Sequence, residues 1–243
     1  MEKQVFYDLF HDHLVLNGLL DYEKDEIKEK FYLLTERMMA VNEVMNITAI
    51  REVEKIIPLH YIDCMMISQF IPQNAHVLDV GCGGGFPTLP LTIIRPDLHM
   101  VALDSTEKKV KYVQETADML HLNVETISER AEILAQNNSY REKFDIVTSR
   151  AVARLNILDE LCLPFVKVGG KAVIMKGVAG KEEFIEAKSG IEKLGGKCEG
   201  VLNEKLHIKS DNVESRTFII VDKVEKTPKA YPRQFSQMKK KPL

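Results

Sequence analysis

An acidic residue followed by closely spaced glycines forms the segment Asp79–Phe86, DVGCGGGF. It follows an apolar stretch, AHVLDV at 75–80, that predicts a strand. Open α/β folds bind ligands at the carboxyl ends of their strands, where glycines permit positive φ angles and a close approach of the backbone. A dinucleotide-binding motif requires a glycine where this chain has Phe86, and a P-loop requires a Gly-Lys-Ser/Thr that does not follow. The remaining pattern, D-x-G-x-G-x-G, argues against a dehydrogenase and against ATP hydrolysis.

Asp104 provides a second carboxylate at the same sheet edge, because it ends a predicted strand at 99–104, 23 residues after Gly81. A carboxylate at that position can accept hydrogen bonds from both ribose hydroxyls of a nucleoside. The alternative is that Asp104, beside Ser105 and Thr106, caps the helix that follows. We favour the ribose role because strand end, acid and glycine loop coincide. NAD enzymes carry such an acid as well, so it identifies a ribose and not a particular cofactor.

Strand and helix patterns alternate from Ala75 onward, which predicts an α/β fold with a doubly wound, mostly parallel sheet. Helices are predicted after Asp104 and at 181–194. Strands are predicted at 75–80, 99–104, 123–127, 143–149, 171–176 and 217–223, with a weaker one near 198–202. Before the sheet, apolar residues at helical spacing predict three helices, at 4–20, 24–45 and 55–71.

The length of 243 residues and the hydrophobic fraction of 45% fit one large domain that carries an extension. No stretch approaches the ~18 consecutive apolar residues of a membrane-spanning helix. The first residues lack the pattern of a secretory signal, so we expect a cytoplasmic protein. The four cysteines, Cys64, Cys82, Cys162 and Cys198, contain no C-x-x-C pair, and we expect neither a disulfide framework nor a metal site.

The carboxyl-terminal tail is basic although the whole chain has a net charge of −3. From Lys223 onward there are seven basic side chains against one acidic one, a balance of +6 that leaves −9 for the rest. Pro228, Pro232 and Pro242 predict an extended tail. Basic residues interspersed with aromatic ones suit a nucleic-acid backbone, whereas a solvated, frayed terminus is the alternative.

Four segments together resemble the glucose-inhibited division protein B family, the bacterial small-subunit rRNA guanine-N7 methyltransferases. They are NEVMNITAI with HYIDCM, LDVGCGGGFPTLPL, ISERAE followed by FDIVTSRAVA, and YPRQFSQMKKKPL. The glycine motif is itself similar to the first motif of the class I S-adenosylmethionine-dependent methyltransferases. The tail departs from the family pattern, which has Gly-x-Pro-x-Lys after Tyr-Pro-Arg, at Gln234 to Lys240.

This resemblance implies a Rossmann-like, class I methyltransferase fold with an N-terminal helical extension. We divide the chain into a helical segment at 1–72 packed on the main domain, an S-adenosylmethionine-binding methyltransferase domain at 73–226 and a basic tail at 227–243. The implied reaction is methyl transfer from S-adenosylmethionine to N7 of guanine 527 in 16S rRNA, with release of S-adenosylhomocysteine. N7 carries a lone pair and no proton, so attack needs alignment more than a general base, and no catalytic residue is assigned.

The resemblance also implies which residues hold the cofactor and which partner is bound. The partner is 16S rRNA, either naked or within the small ribosomal subunit, and a monomer suffices. The implied cofactor residues are Gly81, Gly83, Gly85, Phe86, Asp104, Ala131, Glu132 and Arg150.

Ordinary structural roles remain open for several of these residues. Phe86 could begin the core face of a helix, Glu132 could be a helix-start acid, and Arg150 could be an ion-pair partner. His60 and Asp63, with Asn46 and Thr48 in the same resemblance, are candidates for orienting the guanine, although a histidine on an apolar face is usually a hydrogen-bonded core residue.

Candidate RNA contacts share a positive charge, and solvated surface charges are the alternative for each. They are Arg130, Arg154, Arg233, Lys239, Lys240 and Lys241. Lys176 faces either the substrate cleft or water. Cys82 has no partner at motif spacing, which disfavours a nucleophile.

Three other functions remain open at this stage. A small-molecule methyltransferase would use the same glycine loop and acid. A non-catalytic RNA-binding or assembly factor would retain the nucleoside site without turnover. An NAD-linked oxidoreductase is disfavoured by Phe86 in place of the third glycine.

Overall fold

In the computed structural model, which describes all 243 residues, seven strands form one sheet in the order β3-β2-β1-β4-β5-β7-β6. The strands are β1 (His76–Val80), β2 (His99–Asp104), β3 (Val124–Ser128), β4 (Phe144–Arg150), β5 (Val166–Lys176), β6 (Gly196–Lys209) and β7 (Asn212–Lys223). The first five pair in parallel, whereas β7 is antiparallel to both β5 and β6. The predicted α/β class and mostly parallel sheet are confirmed.

Helices cover both faces of the sheet because its strands are apolar on both sides. They are α1 (Lys3–Leu16), α2 (Asp25–Asn42), α3 (Val53–Ile56), α4 (Asp63–Met65), α5 (Thr88–Ile94), α6 (Glu107–Met119), α7 (Ala131–Leu134), α8 (Leu155–Cys162), α9 (Gly180–Lys193) and α10 (Phe235–Lys240). Short 3-10 turns cover Leu20–Tyr22, Met66–Phe70 and Leu163–Phe165, and Ile57–Ile62 is a π-helical turn. None of these helices has the length and apolar character that crossing a membrane requires.

Alternate residues of each strand enter two separate cores. On β1, for example, Val77 belongs to the core beneath α1, α2, α5 and α6, while Leu78 belongs to the core beneath α8 and α9. The N-terminal helices join the first core through aromatic packing, with Phe31 lying 4.9 Å from Phe10 and 4.8 Å from Tyr61 between ring centroids. The N-terminal segment therefore shares the sheet's core instead of forming one of its own.

The helix predicted at 55–71 is not a single regular helix. It runs as α3, the π-helical turn, α4 and a 3-10 turn in succession. Pro58 lies at the start of the π-helical turn and has no N–H to donate, which disrupts the regular hydrogen-bond ladder. The wider turn contains His60 and immediately precedes Asp63.

Strand ends also differ from the sequence expectation in the carboxyl-terminal half. The predicted strands at 171–176, 198–202 and 217–223 are the cores of the longer strands β5, β6 and β7. The extensions are largely polar, and backbone pairing in the β6–β7 hairpin, from Gly196 with Lys223 to Lys209 with Asn212, sets their length. Lys223 therefore belongs to β7 and is buried, and burial lowers its pKa to about 8.

The prediction of an extended tail is wrong for residues 235–240, and the alternative of a frayed terminus does not hold either. Residues Phe235–Lys240 form α10, and Met238 is fully buried in the second core. Arg233 places its guanidinium on the buried carboxylate of Glu160, with Nη2 2.6 Å from Oε2 and Nε 2.9 Å from Oε1. Gln136 and Arg141 donate further hydrogen bonds to tail carbonyls. The tail is a packed part of the domain.

We expect Arg233→Ala to destabilise the folded protein. The change leaves the carboxylate of Glu160, which has no exposed surface, without its counter-charge. Removing one partner of a buried pair costs about 3 kcal/mol. Urea titration should show this loss in the free energy of unfolding, whereas Lys240→Ala, at an exposed position of the same tail, should change it by less than about 0.5 kcal/mol. Equal stability of the two variants would contradict the anchoring role of Arg233.

Candidate functional site

A cavity of about 490 Å³ lies at the carboxyl ends of β1, β2, β3 and β4. Of the residues that the sequence assigned to a cofactor, it is lined by Gly81, Gly83, Phe86, Asp104, Ala131, Glu132 and Arg150. Gly85 does not line it. A Cβ atom at Gly85 would lie 2.6 Å from Cδ1 of Leu89, so this glycine lets α5 pack against the loop.

Backbone hydrogen bonds and packed side chains hold the glycine loop in place. The backbone N–H groups of Gly81 and Cys82 both donate to the carbonyl of Leu103, at 2.7 and 3.0 Å. Gly81 has a φ of +77°, and a Cβ there would lie 2.4 Å from Cγ2 of Val152. Ile47 packs on the opposite part of the loop and also lines the cavity, so the N-terminal segment supplies one wall.

Asp104 lines the cavity, and two backbone N–H groups orient its carboxylate. Its Oδ1 accepts from the N–H of Thr106 at 2.8 Å, and Thr106, not Asp104, is the N-cap residue of α6. Oδ2 of Asp104 accepts from the N–H of Gly83 at 3.0 Å. Each carboxylate oxygen can accept more than one hydrogen bond, so the group is oriented by the backbone and still able to bind hydroxyls.

Asp79 is a fully buried carboxylate with one unpaired oxygen. Its Oδ2 accepts from the hydroxyl of Thr88 at 2.7 Å and from the N–H of Thr88 at 3.3 Å, whereas Oδ1 has no partner. Burial raises the pKa of Asp79 to about 7.

Arg150 is the centre of a polar cluster at the other end of the cavity. Its Nη1 donates to the carbonyl of Leu59 at 3.0 Å and to Oδ2 of Asp63 at 3.1 Å. Its Nη2 lies 3.0 Å from Nδ1 of His60, and its guanidinium carbon lies 5.4 Å from the ring centroid of Phe86. Arg150 therefore forms an ion pair and also lines the cavity, although the sequence offered these as alternatives.

His60 is neutral and fixed in one tautomer. Burial, with the neighbouring Arg150 charge, lowers its pKa to about 3. Since the guanidinium can only donate, Nδ1 of His60 accepts and Nε2–H donates to Oγ1 of Thr48, at 2.7 Å. The imidazole stacks on Phe86 with centroids 4.5 Å apart. Asp63 binds Arg150 and is turned away from any direct contact with the first cavity.

A second cavity of about 670 Å³ adjoins the first and shares His60, Arg150, Ala151 and Val152 with it. Sequence analysis missed Arg216, which enters this cavity from β7 and places Nε 2.9 Å from Oδ1 of Asp63. No local motif marks Arg216, because only the β6–β7 hairpin brings it here. The sequence did not decide whether Lys176 faces the substrate cleft or water. It faces this cavity, and its Nζ lies 2.9 Å from Oε2 of Glu183.

The candidate RNA contacts divide into paired and exposed groups. Arg130 and Arg154 are half exposed and pair with Glu132 and Glu186, each at 2.6 Å. Arg233 pairs with the buried carboxylate of Glu160, also at 2.6 Å. The remaining candidates, Lys239, Lys240 and Lys241, are exposed. Burial raises the pKa of the Cys82 thiol well above its ordinary value, which keeps it protonated.

Known proteins are similar to this chain over most of its length. The family model described as "rRNA small subunit methyltransferase G" matches residues 27–213. Ribosomal RNA small subunit methyltransferase G of Clostridium novyi is 41% identical over 99% of this chain and 98% of that protein. The protein of the same name from Brevibacillus brevis is 42% identical over 93% of both chains.

Solved structures share the fold at low sequence identity. TYW2 of P. horikoshii in complex with MeSAdo matches with a TM-score of 0.54 and 14% identity, over 68% of this chain and 64% of that one. TYW2 of M. jannaschii in complex with AdoMet matches with a TM-score of 0.52 and 18% identity, over 66% of this chain and 74% of that one.

We expect Asp79→Asn to change how stability depends on pH. Burial raises the pKa of Asp79 to about 7 in the folded protein, whereas the pKa of an aspartate in the unfolded chain is about 3.9. The folded state therefore keeps a proton that the unfolded chain has lost, and the free energy of unfolding falls as pH rises through this interval. Urea titrations at several pH values should show the wild type losing stability relative to Asp79→Asn between about pH 4 and pH 7. A difference that stays constant with pH would contradict this assignment.

Proposed function

This chain belongs to the rRNA small subunit methyltransferase G family, and from that membership we propose that it methylates N7 of a guanine in 16S rRNA, guanine 527 by the family resemblance. The methyl donor is S-adenosylmethionine. The observation that carries the proposal is that two cavities meet at His60 and Arg150. The first cavity suits a charged nucleoside, and the second is open to an acceptor base.

The residues that line the first cavity suit the parts of a nucleoside cofactor. Asp104 would accept the ribose hydroxyls, and the backbone at Gly81 and Gly83 would contact the ligand closely. Ala131 with Glu132 would border the adenine. When bound, S-adenosylmethionine supplies an activated sulfonium methyl group and leaves as S-adenosylhomocysteine.

The acceptor needs no proton removed. Guanine N7 attacks with its lone pair, the sulfur–methyl bond breaks, and the positive charge moves to the base. The protein has to align the base and exclude water. Both ring nitrogens of neutral His60 are engaged, Nδ1 by Arg150 and Nε2–H by Thr48, so we assign His60 and Asp63 as positioning residues that fix Arg150 and Phe86.

The second cavity has the charges that a guanine nucleotide requires. Arg154, Lys176 and Arg216 can donate to O6 or to a phosphate, and Glu183 and Glu214 can accept from the N–H groups of the base. Arg130 and the exposed lysines Lys239 to Lys241 would extend this binding to the RNA backbone.

Family membership disfavours the alternatives that the sequence left open, since relatives named as rRNA methyltransferases match almost the full chain. We further propose that the protein works as a monomer, because residues of one chain line both cavities. Its place of action is the cytoplasm, where small-subunit rRNA is found. Whether the substrate is naked rRNA or an assembled subunit is the subject of the first test.

The direct test is transfer of labelled methyl from S-adenosylmethionine to 16S rRNA and to small subunits, both from cells that lack this gene. We expect label on N7 of a single guanine, and the better-labelled preparation identifies the natural substrate. Asp104→Ala should lose transfer through weaker cofactor binding, whereas Asp118→Ala, an exposed acid on the outer face of α6, should match the wild type. Cofactor binding without label on either RNA preparation would contradict the proposal.

We expect the double variant Lys240→Ala/Lys241→Ala to weaken RNA binding and its dependence on salt. Each lost phosphate contact on single-stranded RNA reduces the slope of log K against log salt concentration by about 0.7. The slope should therefore fall by about 1.4, measured by filter binding of 16S rRNA over a range of salt concentrations. Lys193→Ala/Lys197→Ala removes two exposed lysines where α9 ends, far from the strands' carboxyl edge, and should keep the wild-type slope. Equal slopes for the two double variants would contradict a role of the tail in RNA binding.

A further inference from the structure

One residue of the tail reaches the first cavity. Phe235 lines it, and it is the only lining residue that follows Leu161 in the chain. It is half-buried and packs against the second core, so part of its ring surface faces the core and part faces the cavity. An aromatic ring at a cavity wall is a binding surface for a planar heterocycle.

The position of Phe235 is fixed by its neighbours on both sides. Two residues earlier, Arg233 is bound to the buried carboxylate of Glu160 through its guanidinium and through its backbone N–H at 2.7 Å. Three residues later, on the same face of α10, Met238 is fully buried. Glu160 adjoins Leu161, which itself lines the cavity. Phe235 is therefore a pre-positioned wall and not the side chain of a loose terminus.

The strand order identifies which end of the cavity Phe235 borders. The carboxyl ends of β3, β2, β1 and β4 follow one another along the sheet edge. Arg150, at the end of β4, adjoins the second cavity, whereas Asp104 ends β2 and Arg130 follows β3. The guanidinium carbon of Arg130 lies 5.5 Å from the ring centroid of Phe235. Phe235 is thus at the β3 end, beyond the ribose-binding carboxylate and farthest from the acceptor cavity.

Two cations lie over the ring. Besides Arg130, which also lines the cavity, the ammonium of Lys239 lies 5.6 Å from the centroid of Phe235. Such contacts stabilise an aromatic ring in place. Arg130 is also paired with Glu132, so the ring is linked to the segment after β3.

We propose that Phe235 binds the adenine ring of S-adenosylmethionine, and that the C-terminal segment thereby completes the cofactor cavity. The inference rests on the proposed function, because it takes S-adenosylmethionine as the ligand. Sequence comparison with the family pattern gives no hint of it, since Phe235 lies in the stretch where this tail departs from that pattern.

Calorimetry of S-adenosylmethionine binding to the full chain tests the contact. Phe235→Ala should weaken binding by about tenfold, the usual effect of losing one aromatic stacking partner of a base. Phe70→Ala removes another half-buried phenylalanine, which packs on Phe218 and lines neither cavity, and should leave the affinity unchanged. Thermal unfolding of both variants shows whether each remains folded at the temperature of the titration.

A second measurement does not depend on removing the ring. The chain contains no tryptophan, so Phe235→Trp introduces the only one, at the proposed adenine wall, and it can be excited separately from the seven tyrosines. Its emission should change saturably with S-adenosylmethionine and with adenosine, but not with methionine. Phe70→Trp should respond to none of the three.

The outcomes separate this inference from the proposed function. Wild-type binding together with unchanged affinity of Phe235→Ala and a silent Phe235→Trp variant would overturn the adenine contact alone. A wild-type protein that binds no S-adenosylmethionine would overturn both.

Discussion

Asp63 is bound by two arginines that come from distant parts of the chain, and the arrangement of the site depends on this ion-pair cluster. Arg150 reaches it from the end of β4, and Arg216 reaches it from β7. Asp63 is only 5% exposed, so its charge requires both partners. Removing one partner of a buried pair is strongly destabilising because a charge is left without compensation. The cluster therefore fixes the N-terminal helical segment against both the parallel and the antiparallel parts of the sheet.

The same cluster fixes the boundary between the two cavities. Arg150 donates to His60, and His60 stacks on Phe86 at the end of the glycine loop. Because burial and the Arg150 charge keep His60 neutral, the contact does not depend on pH near neutrality. Methyl transfer to a nitrogen without a proton places its demand on alignment, and a rigid boundary between the two cavities suits that demand.

The C-terminal segment is a further structural part of the site. Glu160 holds Arg233, and its neighbour Leu161 lines the first cavity together with Phe235. Packing of the tail and the shape of the cofactor cavity therefore depend on the same contacts. The lysines at the end of the C-terminal segment remain exposed. One short segment therefore makes buried structural contacts and also presents a charged surface. The Ile47 wall contributed by the N-terminal segment completes the opposite side of the cavity.

The amino-acid sequence by itself determined the parallel half of the sheet and the glycine loop. Apolar runs such as HVLDV and HMVALD are buried on both faces, so local pattern is enough to locate β1 and β2, and Asp104 follows from the strand end. Only the tertiary structure decided the extent of β6 and β7, the ordered tail and the positions of Arg216 and Phe235. These depend on contacts between residues far apart in the chain: Arg216 reaches Asp63, and Phe235 is placed by Arg233 on Glu160. From the sequence alone, a basic residue in a solvated terminus cannot be distinguished from one in a buried ion pair. The difference is the partner residue, which only the fold brings into contact.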